Sequence, residues 1–269
     1  MKHVLSVQDL SCVGKCSLTV ALPVLSAMQC RCSVLPTAVL STHTAFPSPH
    51  VRDLTEDLDS VRCHWQRIGV SFDAISVGYL ADPAQAQAVC ALLDAFPALT
   101  VIDPVMGDHG RLYTGITPDH VAAMRTLCRR GNILLPNVTE AALLTGVPYR
   151  SVYDPGYYRE LTAGMLDFGT EAVVITGVCT ESGTIGFAGS HRETGDFSCQ
   201  LPHIPRQQHG TGDLFAAVFT GALMNGLALP EAAALAAEFV ATVLSSASEP
   251  SPFGADFEPL LPWLWKKLM

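Results

Sequence analysis

Thr100-Val101-Ile102-Asp103-Pro104-Val105-Met106-Gly107-Asp108, then an apolar pattern at helical spacing over 118–129, then Asn132-Ile133-Leu134-Leu135-Pro136-Asn137-Val138-Thr139-Glu140: this stretch decides the fold. A short β-branched run, a turn, a helix and a second short apolar run make a strand, a covering helix and a parallel strand. The same alternation extends both ways. Strands are expected over 4–8, 32–39, 74–77, 100–102, 132–135 and 172–176, and helices over 17–28, 51–68, 83–96, 118–129, 140–145 and 155–168. Two short strands, 184–188 and 196–201, read as an antiparallel pair at the sheet edge, and helices over 211–225, 230–246 and 256–267 complete the chain. This is an α/β pattern with a mostly parallel sheet covered on both faces. No linker or repeat divides the chain, so residues 1–269 are expected to form a single domain.

Composition narrows the function. Hydrophobic residues make up 49% and charged residues 15%, enough apolar surface for a large core. The net charge of −9 argues against nucleic acid or an anionic membrane as partner. Nine cysteines, with only Cys30 and Cys32 close together, read as reduced and mainly buried thiols of a cytoplasmic protein. The N-terminus lacks the apolar core of a signal peptide, and no apolar run is expected to span a membrane.

Ligands of open parallel sheets sit beyond the carboxyl ends of the strands, so the residues after each strand carry the functional signal. After the first come Asp9 and Ser11, which suit a small polar substrate or a helix cap equally well. Gly14-Lys15 is not a P-loop, because position 9 is not glycine and Cys16 follows the lysine. After the second strand, Ser41, Thr42, His43 and Thr44 gather hydroxyls and one imidazole; after the third, Gly78-Tyr79 offers a ring that would stack on a flat ligand or pack in the core. The fourth is followed by Asp103 and Asp108, a loop suited to magnesium held through water, with Tyr113 beyond it. Asn137 and Glu140 stand three apart at a helix start, which fits a capping box as well as a metal pair. The sixth strand ends at Thr176-Gly177, placed to approach phosphate.

The strongest signal is His209-Gly210-Thr211-Gly212-Asp213, followed by a small apolar helical pattern. A glycine-flanked helix start presents free N–H groups and the positive end of the macrodipole, an anion site. The acid in that cradle repels anions, so its better use is to take a proton from a hydroxyl attacking phosphorus. The alternative is an ordinary acid on a first helical turn.

Together, Gly210-Thr211-Gly212-Asp213, the loop from Asp103 to Asp108, Asn137 to Glu140 and Thr176-Gly177 resemble the ribokinase superfamily. The match is similar in particular to the pyridoxal kinases, on Ser6-Val7-Gln8, Leu40 to Thr44, Gly78-Tyr79 and Gly210 to Ala216, in family order from residue 3 to about 245. The resemblance implies a ribokinase-like three-layer α/β/α fold and ATP-dependent phosphorylation of the 5′-hydroxymethyl group of vitamin B6 vitamers. It implies Asp213 as catalytic base and substrate contact, with Gly210, Thr211 and Gly212 as the anion hole. Asp108, Tyr113, Thr176 and Gly177 would serve ATP; Asp103, Asn137 and Glu140 would organise Mg²⁺; Asp9, Thr44 and Tyr79 would hold the pyridine ring. A homodimer is implied, with a monovalent cation such as K⁺ as a further candidate. Two departures bear on substrate ranking: Asp9 replaces a frequent serine and Leu135 a frequent threonine. The alternatives are a hydroxymethylpyrimidine kinase of the same superfamily, many of which carry cysteine in place of Asp213, and a non-catalytic binder of B6 or nucleotide.

Overall fold

The computed structural model describes residues 1–150, 154–206, 208–247, 249 and 251–268. Among them the main sheet has the order β11-β10-β9-β8-β5-β4-β1-β2-β3. Its strands are β1 (His3–Val13), β2 (Arg31–Thr42), β3 (Val51–Asp53), β4 (Ala74–Val77), β5 (Leu99–Ile102), β8 (Ile133–Leu134), β9 (Ala172–Val178), β10 (Thr184–His191) and β11 (Gly195–Pro202). A separate hairpin pairs β6 (Gly107–Asp108) with β7 (Arg111–Leu112). The six strands β2, β1, β4, β5, β8 and β9 run parallel, while β3, β10 and β11 are antiparallel additions at the two edges.

The helices are α1 (Leu18–Ala27), α2 (Thr55–Arg67), α3 (Pro83–Ala95), α4 (Pro118–Cys128), α5 (Val138–Thr145), α6 (Pro155–Leu166), α7 (Thr211–Met224), α8 (Leu229–Ser246) and α9 (Leu261–Lys267). Successive strand residues serve opposite layers, as the period of two requires. Leu5, Ile75, Ile102, Leu134 and Val173 pack with α2 to α6, whereas Val4, Ala74, Val101, Ile133 and Ala172 pack with α1, α7, α8 and α9. Both faces of the central strands are therefore buried, which is why they read as continuous apolar runs rather than alternating ones. The result is the three-layer α/β/α architecture expected.

Four sequence expectations are corrected. The helix placed over 51–68 begins at Thr55, because Val51 to Asp53 pair with Ala38 to Leu40 as β3 and the Asp53 carboxylate accepts the Thr55 N–H at 2.6 Å. The segment read as a loop after Asp103 contains the β6–β7 hairpin, whose two-residue turn has His109 at φ 49° and Gly110 at φ 74°; such mirror-image turns match the twist of paired strands. The cysteines are all free, but only Cys30 and Cys128 are buried, and Cys12 is exposed. Finally, α8 is long and apolar enough to cross a membrane. It packs on α7 along an alanine-rich face, and Ala232, Ala233, Ala236, Phe239 and Val243 are buried in the core.

Candidate active site

The chain passes from β1 to β2 on one side and returns to β4 on the other, so strand order reverses between β1 and β4. A crevice at the carboxyl ends of such strands is where α/β sheets bind ligands. Thr44, Tyr79 and Asp103 follow the ends of β2, β4 and β5, and Asn137 starts α5 after β8, whereas Asp9 lies within β1 at its register shift against β2, Thr176 and Gly177 lie within β9, and Asp108 lies in the β6–β7 hairpin.

Gly210 caps α7 at φ 84°, and its carbonyl accepts the Leu214 N–H at 2.9 Å, so Asp213 stands on the first turn. A Cβ at Gly210 would overlap the Lys15 carbonyl oxygen. Gly254 makes a similar approach: at φ 106°, a Cβ there would lie 2.8 Å from the same oxygen. The helix start is thus wedged between the turn after β1 and the segment after α8, tied by Ala255 N–H to His209 O at 3.2 Å and Lys15 N–H to Phe253 O at 2.6 Å. Loss of water around the Asp213 carboxyl pushes it up to about 7; the facing Ser17 N–H opposes this, and the charge of Asp9 adds to it. Such a carboxylate is poised to accept a proton near neutral pH.

Asp103 approaches the same turn: a Cβ on Gly212 would lie 3.9 Å from its Oδ2. Burial, then the charges of Glu140 and Asp213, hold Asp103 well above the usual carboxylate range. Glu140, 2% exposed, is pushed up to about 8 by burial. Its oxygens accept the Met106 N–H at 3.0 Å and the Asn137 N–H at 2.8 Å, while Asn137 Oδ1 accepts the Glu140 N–H at 3.0 Å. Both members of the capping box are therefore present. The box also fastens the hairpin, since Asn137 Nδ2 donates to Gly107 O at 2.8 Å and Gly110 N–H donates to Thr139 Oγ1 at 2.9 Å. Replacing Glu140 by Ala would leave the buried Met106 N–H and the part-buried Asn137 N–H without their acceptors, and urea unfolding is expected to show a loss of about 2 kcal/mol.

The hairpin carries Asp108, exposed at its tip, and Tyr113, 41% exposed beyond it. The Tyr113 hydroxyl is pushed up by burial first and then by the charges of Glu140, Asp108, Asp103 and Asp213. Thr176 bridges to Asn137, and its N–H donates to Pro136 O at 2.9 Å; Gly177 follows at φ 71° with open space above it.

On the β1 side, Asp9 is 4% exposed and accepts hydroxyls from Ser17 at 2.5 Å and Ser11 at 3.0 Å. Tyr79 is half-buried against the core, and its hydroxyl is raised by burial and then by Asp9. Thr44 is exposed on the loop after β2. Its neighbour His43 is the buried member: the ring lies 4.7 Å from that of His209, with Nε2 3.0 Å from the Pro252 carbonyl. The sequence marks His43 only as one imidazole among hydroxyls and Lys15 only as part of a failed P-loop match, and gives Ser17 no role. Lys15 is no phosphate ligand, because Asp256 and Glu258 engage its ammonium at 2.5 and 2.7 Å.

The donors around Asp103 are hard oxygens that suit Mg²⁺. Among the described residues no three His, Cys, Asp or Glu side chains form a ready metal cage. Mg²⁺ commonly keeps several waters and takes one or two carboxylates plus substrate phosphates. Asp103 and Asp108 have oxygens to offer, and Glu140, with both oxygens engaged, would reach the ion through water.

A family model described as phosphomethylpyrimidine kinase matches residues 22–259. A pyridoxine/pyridoxal/pyridoxamine kinase of Bordetella bronchiseptica is 32% identical over 261 residues, 91% of this chain and 89% of that relative. The crystal structure of pyridoxal kinase from Lactobacillus plantarum superposes with a TM-score of 0.91 at 35% identity, over 99% of this chain and 98% of that one. A Bacteroides thetaiotaomicron structure containing pyridoxal aligns at 34% identity with a TM-score of 0.92, covering 99% and 95% of the two chains.

Proposed function

The chain belongs to the phosphomethylpyrimidine kinase family, and from that premise we propose that it phosphorylates the 5′-hydroxymethyl group of B6 vitamers with ATP. The carrying observation is the placement of Asp213: a desolvated carboxyl on the first turn of α7, beside the amide-rich turn from Gly210. Asp213 takes the hydroxymethyl proton as the oxygen attacks the γ-phosphorus; the bond from that phosphorus to the bridging oxygen breaks, and ADP leaves. The N–H groups of Gly210, Thr211 and Gly212 meet the charge on the transferring phosphoryl group. Asp108, Tyr113, Thr176 and Gly177 line the ATP side, and Tyr79 and Thr44 the vitamer side. Mg²⁺, organised by Asp103 with Asp108 and, through water, Asn137 and Glu140, would neutralise phosphate charge.

The relatives named for pyridoxine, pyridoxal and pyridoxamine, and the neighbour containing pyridoxal, support the substrate class. ADP release with each vitamer and with hydroxymethylpyrimidine tests it: turnover with hydroxymethylpyrimidine alone would replace the B6 reading by the other activity of the family. The homodimer belongs to the same proposal, supported by the exposed apolar Val34 and Val51 on the β2–β3 edge, and light scattering tests it. Nine free thiols support a reducing, cytoplasmic setting.

The pH profile follows from Asp213. A base must be ionised, so kcat/KM is expected to fall tenfold per pH unit on the acid side and to level off above about 7. A profile flat from pH 5 to 8 would remove Asp213 as the base.

A further inference from the structure

We propose that Asp9 and Ser17 form a latch for the catalytic base: Asp9 anchors the Ser17 hydroxyl, fixing a left-handed backbone turn whose N–H faces the Asp213 carboxylate. The inference rests on the reading of Asp213 as the base.

Ser17 has φ 49° and ψ −125°, a conformation that L side chains rarely adopt and that persists only where surroundings enforce it. Its position just before α1 suggests a helix cap, yet its side chain makes no capping hydrogen bond. The hydroxyl instead donates to Asp9 Oδ1 at 2.5 Å, and Ser11 donates to Asp9 Oδ2 at 3.0 Å. All of this is out of water: Asp9 is 4% exposed, Ser17 5% and Ser11 0%. Asp9 sits where β1 breaks register against β2, between Gln8 and Leu10, an irregularity of the kind that re-aims a side chain.

A buried carboxylate with an oxygen committed to each hydroxyl is poorly placed to read a ring edge in the crevice. It is well placed to hold Ser17. With the Ser17 side chain tied toward β1, its N–H is turned toward α7, against which α1 packs, on the side from which it opposes the rise of the Asp213 carboxyl. The donor orients Asp213 without occupying its approach from the substrate side. The same turn presents the Lys15 carbonyl to Gly210, so base and anion turn share one support. Asp9 and Ser17 thus act as positioning residues, through Asp213.

The latch requires the Ser17 hydroxyl only to hold a conformation that glycine adopts unaided. Ser17→Ala is expected to lower kcat on the order of 10²-fold, by equal factors for every vitamer, with KM for vitamer and ATP little changed. Ser17→Gly is expected to recover most of that loss although it also lacks the hydroxyl. Asp9→Ala should slow wild type as Ser17→Ala does, but have a much smaller effect in the Ser17→Gly background. Asp9→Asn, which keeps an acceptor oxygen, replaces Asp9→Ala if the latter fails to fold by circular dichroism.

Ser17→Gly as slow as Ser17→Ala would overturn the latch, as would Asp9 variants that raise vitamer KM and reorder the vitamers with kcat intact. In either case an active wild type leaves the kinase reading standing. A wild type that turns over no vitamer overturns that reading and the latch with it.

Discussion

Asp213→Asn is expected to lower kcat by about 10²- to 10⁴-fold with KM for vitamer and ATP nearly unchanged, the range seen when a general base is lost. The amide is nearly isosteric and keeps an acceptor oxygen, so the fold and anion turn remain while the proton acceptor is gone. A second consequence concerns stability and has the opposite sign. Because the folded protein raises this carboxyl from 3.8 to about 7, folding favours its protonated form. Its contribution is fully present below about pH 4 and is lost as pH rises through about 7. The Asn variant carries no such loss. It should therefore melt at a higher temperature than wild type above pH 7, and the gap should close toward pH 4. Scanning calorimetry at pH 4, 6 and 8 checks this; equal melting temperatures at pH 8 would contradict a desolvated Asp213.

Gly210→Ala is the second large effect. The substitution meets two obstacles: φ 84° costs an L residue about 1–2 kcal/mol, and the new Cβ overlaps the Lys15 carbonyl oxygen. Backbone lies on both sides, so no side-chain rotation relieves the overlap, and the helix start must move away from the turn after β1. Misplacement by about 1 Å at a reacting centre costs on the order of 10²-fold in rate. Turnover should fall by that factor or more, with a lower melting temperature. Gly212→Ala is the control: its nearest neighbour is Asp103 Oδ2 at 3.9 Å, and it has no positive φ. It should fold like wild type, and any loss of turnover there reflects crowding of the phosphate. If Gly210→Ala retained full activity, the turn would not be the anion site.

The two obstacles at Gly210 differ in how far the sequence exposes them. That a glycine opens α7 is legible from the local string, since glycine supplies positive φ and close approach wherever a phosphate must meet backbone. That the atom it avoids belongs to Lys15 is not. Asn137 and Glu140 show the same boundary: their spacing announced a capping box, but that the box grips Met106 and Gly107, and so commits the Glu140 oxygens, depended on a hairpin read as loop. Val51 to Asp53 continued a helical pattern and became β3, because open backbone on β2 was a better partner than another helical turn.

The sequence by itself determined the alternation of strands and helices, the sheet edge where ligands gather and the acid set in a glycine-rich helix start. These depend on periodicity and on residues within one or two turns of each other, where chain geometry leaves few alternatives. Tertiary structure decided which polar groups are free to act. Asp9 is engaged by Ser17 eight residues on, Lys15 by Asp256 and Glu258 more than two hundred residues away, and Asp103 is raised by Glu140 and Asp213. Desolvation and hydrogen-bond capacity belong to a location in space, and only the folded chain sets which groups share it.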